Sequence, residues 1–210
     1  HRGDQFVEVM EKSKLLVREL LDISNEYEIL FLQGGASLQF YMSALNYMRK
    51  NNKGGYIDTG TWASKSIIEG NHAGNSVILS SSRDRNYNYI PKNTKISSNI
   101  DYLHFTSNNT IYGTQFHTFP QRSNINLPII CDMSSDIMSR KFDVSNFDLI
   151  YAGAQKNIGP AGTTLAIIKR NTINSNTLPT YLNYQTHVDK KSMFNTPPVF
   201  PIYVSMLTLE

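Results

Sequence analysis

The chain has 210 residues, 40% of them hydrophobic, and a formal net charge of +3. That length and apolar content suit one large domain with a substantial core and exclude a disordered tail. The charge is too small for a nucleic-acid surface, and no lysine or arginine run forms a patch with interleaved aromatics; small anionic substrates remain compatible with it. The single cysteine, Cys131, excludes an internal disulfide and favours a reducing compartment. Its place in an apolar run points to burial rather than catalysis. No signal peptide is visible and no apolar run approaches the ~20 residues that cross a bilayer, so a soluble, cytoplasmic protein without membrane contact is expected. His72, His104, His117 and His187 have no metal-like spacing, and no metal is expected.

Apolar residues at Phe6, Val9, Met10, Leu16, Val17, Leu20 and Leu21 predict an amphipathic helix over Asp4 to Ile23. Ile29 to Leu32 reads as a strand. Gly34-Gly35 then opens a second helix with Leu38, Tyr41, Met42, Leu45 and Met48 on one face, stopping where asparagine, lysine and glycine cluster near Asn51 to Gly55. Next come a strand near Gly55 to Asp58, a helix near Ala63 to Ala73, and strands near Val77 to Ser80, Tyr102 to Phe105, Ile129 to Asp132, Leu149 to Ala152 and Thr164 to Lys169. Asn171 to Thr177 reads as a polar connection, and Pro201 to Glu210 as a final helix. Short apolar strands alternating with helical crossovers predict an α/β fold: a mostly parallel sheet flanked by helices on both faces. In such sheets, sites lie beyond the carboxyl ends of the strands.

The stretch Ile150-Tyr-Ala-Gly-Ala-Gln-Lys-Asn-Ile-Gly-Pro-Ala-Gly162 places Lys156 between an apolar strand and a glycine-bracketed turn. An isolated lysine there is a solvated turn residue. A lysine partly desolvated on rigid backbone is instead suited to losing its proton and attacking a carbonyl to form a Schiff base. Twenty-four positions upstream, Asp132 ends another apolar strand. Pyridoxal phosphate enzymes need this pair, an amine for the aldehyde and a carboxylate that keeps the pyridinium nitrogen protonated.

Tyr151-Ala-Gly-Ala-Gln-Lys-Asn-Ile-Gly-Pro-Ala-Gly162 resembles the cofactor-lysine motif of the phosphoserine aminotransferases, class-V members of the pyridoxal phosphate enzymes of fold type I. Asp132-Met-Ser-Ser-Asp-Ile-Met-Ser-Arg140 resembles their aspartate motif. Further matches are His1-Arg-Gly-Asp-Gln-Phe6, Gln33-Gly-Gly-Ala-Ser-Leu-Gln-Phe40, Asp58-Thr-Gly-Thr-Trp-Ala63, Ser107-Asn-Asn-Thr-Ile-Tyr-Gly113 and Ser192-Met-Phe-Asn-Thr-Pro-Pro198. The resemblance implies an aspartate-aminotransferase-like large domain over residues 1–210, without the family's N-terminal arm and C-terminal small domain. It also implies the reaction: an amino group passes between L-glutamate and 3-phosphohydroxypyruvate, giving O-phospho-L-serine and 2-oxoglutarate in serine biosynthesis. Pyridoxine biosynthesis, with 4-phosphohydroxythreonine, is a second use within the family.

The same resemblance assigns roles that local sequence leaves open. Gly34-Gly35-Ala36-Ser37 is locally a capped helix start with Ser37 as N-cap; the resemblance makes Ala36 and Ser37 contacts of the cofactor phosphate. Some relatives have an arginine at the position of Ser37 that helps hold the substrate phosphate, and this chain departs from them there. Trp62 is locally core filler, and by resemblance it stacks on the pyridine ring. Thr110 is a turn hydroxyl or a partner of the ring oxygen; its place in the Asn108-Asn109-Thr110 sequon reads as an active-site loop. Gln155 is a surface amide or a phosphate contact. Asn195 and Thr196, before Pro197-Pro198, look locally like a helix N-cap; in the family this pair binds the cofactor phosphate of the neighbouring subunit, which implies a homodimer with shared active sites. His1 and Arg2 are frayed terminal residues or, by resemblance, a phosphate partner and the ligand of the substrate carboxylate. Two rivals stand beside this reading: another class-V pyridoxal phosphate transaminase, and a cofactor-binding fragment without turnover.

Overall fold

The computed structural model describes residues 1–173 and 178–210. Helix α1 (Asp4–Leu20) buries Phe6, Met10, Ser13 and Val17, one side chain per turn, with Asp4 in its first turn and Arg18 in its last, as the helix dipole favours. It stops before Ile23 because Asp22 takes a left-handed conformation, and the Arg18 guanidinium donates to the carbonyls of Ile23, Ser24 and Tyr27 across the turn. Strand β1 (Tyr27–Leu32) leads to α2 (Gly35–Tyr47). Then follow β2 (Lys53–Asp58), α3 (Thr61–Ala73), β3 (Asn75–Ser81) and β4 (Tyr102–Thr106). A short hairpin, β5 (Asn108–Asn109) and β6 (Thr114–Gln115), precedes β7 (Ile129–Asp132), β8 (Leu149–Gly153) and β9 (Thr164–Lys169). Helices α4 (Tyr184–Asp189) and α5 (Val199–Leu209) complete the described chain.

Seven strands form one sheet in the order β1-β9-β8-β7-β4-β2-β3. The run from β8 to β3 is parallel throughout, while β9 pairs antiparallel with both β8 and β1. The mostly parallel sheet expected from the sequence is therefore present, with one reversed strand that apolar content alone does not reveal. The hairpin and α4 were not expected: strands of two residues and a six-residue helix are too short to show a period. Residues 171–173 close a short turn after β9, and the rest of the expected Asn171 to Thr177 connection lies outside the described residues.

Two hydrophobic layers sandwich the sheet, and strand alternation decides which side chain joins which. Phe31, Phe105, Cys131, Ile150 and Ile167 pack with Phe6, Met10 and Val17 of α1 and Ile202 and Leu209 of α5. Leu30, Ile130, Leu149, Tyr151 and Ala166 face the opposite way, against Phe40, Met42 and Tyr47 of α2, Ile67 of α3 and Tyr184 of α4. Each large side chain so buried contributes about 1.5–3 kcal/mol by transfer from water. Cys131 is buried and free, as expected; burial pushes its thiol well above the ordinary range. Among the described residues no helix is long and apolar enough to cross a membrane, and no group of histidine, cysteine and acidic side chains could hold a metal.

Candidate active site

Because the strands from β8 to β3 are parallel, Asp58, Thr106, Asp132 and Gly153 all end on one edge of the sheet, and the loops beyond them meet there. A cleft of about 160 Å³ lies at this edge, lined by Gly35, Ala36, Ser37, Phe40, Trp62, Asn108, Asp132, Ser134, Ser135, Gln155 and Lys156. Six residues singled out from sequence thus share one cavity: Ala36, Ser37, Trp62, Asp132, Gln155 and Lys156. A larger cavity of about 490 Å³ lies under the other layer, with walls including Ile57, Ile90, Leu103, Phe116 and Phe119; it contains none of those six.

Asp132 is 3% exposed. Burial raises its carboxyl to about 6, against the opposing pull of two hydrogen bonds from Ser134 and the charge of Lys156. Ser134 donates through its backbone N–H at 2.9 Å and its hydroxyl at 2.6 Å, both to Oδ1. The Ser134 hydroxyl also accepts from the backbone N–H of Gly153, tying the end of β7 to that of β8. Ser134 carries no assignment from sequence, yet Asp-x-Ser after a strand is the pattern of an Asx turn and was the available signal.

Lys156 lies three positions past the end of β8, and its ammonium donates to Thr110 Oγ1 at 2.6 Å. Both residues are exposed, so the expected partial desolvation of Lys156 is not found; the loop carries it past the end of β8 to the wall of the open cleft. Thr110, although not part of the cleft wall, is brought to the site through this bond.

At the start of α2, Gly34 is the N-cap and holds φ near +94°, a conformation that disfavours any side chain. Ser37 is therefore in the first turn and is not the N-cap. The first turn of a helix leaves its backbone N–H groups without intrahelical partners, and here that turn, at Gly35, Ala36 and Ser37, lines the cleft. Trp62 is the second residue of α3, at the strand-to-helix turn expected for it. The side chain is partly buried and packs against the hydrophobic layer of α2 and α3 while also lining the cleft, and its Nε1 is buried without a hydrogen-bond partner. Lys65 Nζ stands 4.6 Å from the centre of its ring.

Four candidates are not brought to this cleft. Asn195 and Thr196 are exposed and precede α5 by several residues; Pro198 is the N-cap, so the local capping role fails for both. His1 and Arg2 are exposed as well. Arg2 is not frayed: its guanidinium donates to the carbonyls of Met193 and Phe194, beside that same exposed segment.

A model of the class-V aminotransferases matches residues 1–210. The chain belongs to the class-V aminotransferase family. It is 54% identical to phosphoserine aminotransferase of Flavobacterium psychrophilum over 213 aligned residues, covering 100% of this chain and 59% of that relative. A solved structure of radiation damage of the Schiff base in phosphoserine aminotransferase superposes with a TM-score of 0.95 at 47% identity, covering all of this chain and 59% of that one. Phosphoserine aminotransferase from Trichomonas vaginalis, solved bound to PLP, superposes at 0.89 with 31% identity over the whole chain and 63% of its own. The fold is accordingly that of fold type I, as the α/β reading required. The chain spans about three-fifths of the length of these relatives.

Proposed function

We propose that this chain is the pyridoxal-phosphate-binding large domain of a phosphoserine aminotransferase. The observation that carries the reading is the convergence of Lys156 and Asp132 on one cleft whose remaining walls suit the cofactor part by part. A primary amine answers an aldehyde. A carboxylate buried at 3% exposure answers a protonated ring nitrogen, since a buried anion needs a cation opposite it. The first turn of α2, at Ala36 and Ser37, offers backbone N–H groups and the positive end of a dipole to a phosphate, with the Gln155 amide beside it. The Trp62 ring borders the same space as a flat apolar surface, and its orphaned Nε1 awaits an acceptor.

Bound there, pyridoxal phosphate supplies a carbonyl that takes up an amino group and a ring that withdraws electrons from the substrate carbon. The side chains hold and orient. Lys156 would be the attachment point, and its amine, at the end of a flexible stem, would also be the group able to take up or give a proton at the substrate carbon. Thr110 fixes where its nitrogen rests. Asp132 keeps its proton partner charged, and the Ser134 hydrogen bonds keep Asp132 aimed. Arg2 is assigned to the substrate carboxylate and His1 to its phosphate. Asn195 and Thr196 are assigned to the cofactor phosphate of a second subunit; their exposure, away from their own chain's cleft, supports that arrangement and a homodimer with shared sites.

The proposed substrates are L-glutamate and 3-phosphohydroxypyruvate, in serine biosynthesis, and the proposed location is the cytoplasm, with which the free buried thiol agrees. The test is an amino-transfer assay on the whole protein. Formation of O-phospho-L-serine, abolished by Lys156→Ala, is expected; a protein that transfers the amino group to pyruvate or oxaloacetate but not to the phosphorylated acid would overturn the substrate assignment.

A further inference from the structure

Three loops must keep fixed relative positions for the cleft to work: the start of α3 with Trp62, the hairpin with Thr110, and the turn after β7 with Asp132. One side chain joins the first to the second. Asn109 Oδ1 accepts from the backbone N–H of Trp62 at 3.1 Å and of Ala63 at 3.3 Å, while its Nδ2 donates to Thr59 Oγ1 at 3.0 Å. Asn109 is fully buried.

The geometry is that of a helix cap supplied from elsewhere in the chain. Gly60 is the N-cap of α3 and has no side chain to offer. The second and third residues of the helix, Trp62 and Ala63, are those whose N–H groups a capping oxygen normally serves. Gly60 also holds φ near +152°, and a Cβ there would stand 2.6 Å from Asn109 Cβ. The glycine therefore makes room for the asparagine, and the asparagine does the work that a serine or aspartate at position 60 would do.

The other end of the connection is equally fixed. Ser107 donates to the Asp132 carbonyl through its backbone N–H at 2.9 Å and its hydroxyl at 3.0 Å, and Ser135 donates to the Asn108 carbonyl at 2.8 Å. Asn109 thus sits between a segment anchored to the Asp132 turn and Thr110, which holds Lys156. We propose that Asn109 is a positioning residue for the amino-transfer site, capping α3 from the hairpin and thereby fixing the Trp62 ring relative to Thr110, Lys156 and Asp132. The role rests on the cofactor site described above, because it is the cofactor that would sense the distance between the Trp62 ring and Lys156.

The test compares Asn109→Leu, nearly isosteric without an acceptor, with Asn109→Asp, which keeps the oxygen facing the two N–H groups. Two quantities are read on the full-length protein: the emission of Trp62 without cofactor, taken as the difference from a Trp62→Phe background, and the dissociation constant of pyridoxal phosphate. Asn109→Leu should shift the Trp62 emission to the red and weaken cofactor binding by roughly fivefold or more, the effect of losing an ordinary cap. Asn109→Asp should stay within about twofold of the parent, because the capping oxygen survives. If Asn109→Leu does not fold, Asn109→Ala takes its place in the comparison. Unchanged emission and affinity in the variant without an acceptor, or an aspartate variant as impaired as it, would overturn the proposal. Should the parent protein fail to take up cofactor at Lys156, the functional reading falls, while the emission in the cofactor-free state still decides the role of Asn109.

Discussion

Lys156 Nζ donates to Thr110 Oγ1 at 2.6 Å, joining the loop after β8 to the hairpin after β4. The two residues are 46 positions apart in sequence, and only the parallel sheet brings their loops to one edge. This bond gives the exposed lysine a defined resting place that burial does not provide.

Thr110→Val keeps the shape of the side chain and removes the acceptor. One ordinary hydrogen bond is worth about 1 kcal/mol, a factor near five, so reaction of Lys156 with added pyridoxal phosphate should slow by about that much. Thr110→Ser should restore it. Stopped-flow absorbance on the three proteins checks this; equal rates in all three would show that the hydroxyl does not orient the amine.

Asp132 gives a pH-dependent prediction with a definite sign. Its carboxyl lies at about 6 in the fold against an ordinary 3.8, mainly through burial. A folded-state value raised in this way contributes stability that is complete below pH 3.8 and is lost as pH rises through about 6. The cofactor-free Asp132→Asn variant should therefore match the parent near pH 3.5 and exceed it above pH 6.5, by roughly 3 kcal/mol for a shift of about two units. Urea unfolding at the two pH values measures it. The same variant should lose most amino-transfer activity in the whole protein, because a neutral amide cannot hold a ring nitrogen protonated. A stability difference independent of pH would contradict the burial account.

His104 behaves oppositely. It is fully buried on β4, with Nε2 2.7 Å from the Tyr151 hydroxyl and Nδ1 3.4 Å from Ser66 Oγ. Desolvation lowers it from 6.5 to about 3. Its contribution is complete above pH 6.5 and is lost as pH falls towards 3, since the unfolded chain takes up the proton first. His104→Gln, which cannot titrate, should lose about 2 kcal/mol less than the parent between pH 7 and pH 5. Parallel unfolding curves for the two proteins across that range would show that His104 is not held neutral.

Much of the architecture was legible because its signals are long or repeated. The stripe from Phe6 to Val17 set α1, and the apolar runs at 129–132, 149–152 and 164–169 marked three neighbouring strands. The direction of β9 was not legible, because a fully buried run reads the same whether it lies parallel or antiparallel. For the cleft, the glycine turn before α2 and the strand ends at Asp132 and Gly153 pointed to the edge of the sheet where the cavity lies. The capping assignments at Ser37 and Asn195-Thr196 failed in opposite directions: α2 starts earlier, with Gly34 as N-cap and Ser37 inside the first turn, while α5 starts later, with Pro198 as N-cap, and local sequence cannot rank several candidate caps in a row. Ser134 and Asn109 lie in motifs the sequence marked but received no role there, because their partners, the Asp132 carboxylate and the Trp62 N–H among them, are visible only once the chain is folded.

The central claim is that Lys156, and no other lysine of this chain, forms the covalent bond to pyridoxal phosphate. Borohydride reduction of the protein with bound cofactor, followed by proteolysis and mass spectrometry of the peptides, tests it most directly. The account predicts that the reduced pyridoxyl group is found on the peptide containing Tyr151-Ala-Gly-Ala-Gln-Lys-Asn-Ile158, and that Lys156→Ala abolishes the label while leaving the fold intact. A label on a different lysine, or a folded protein that takes up no label at all, would contradict it.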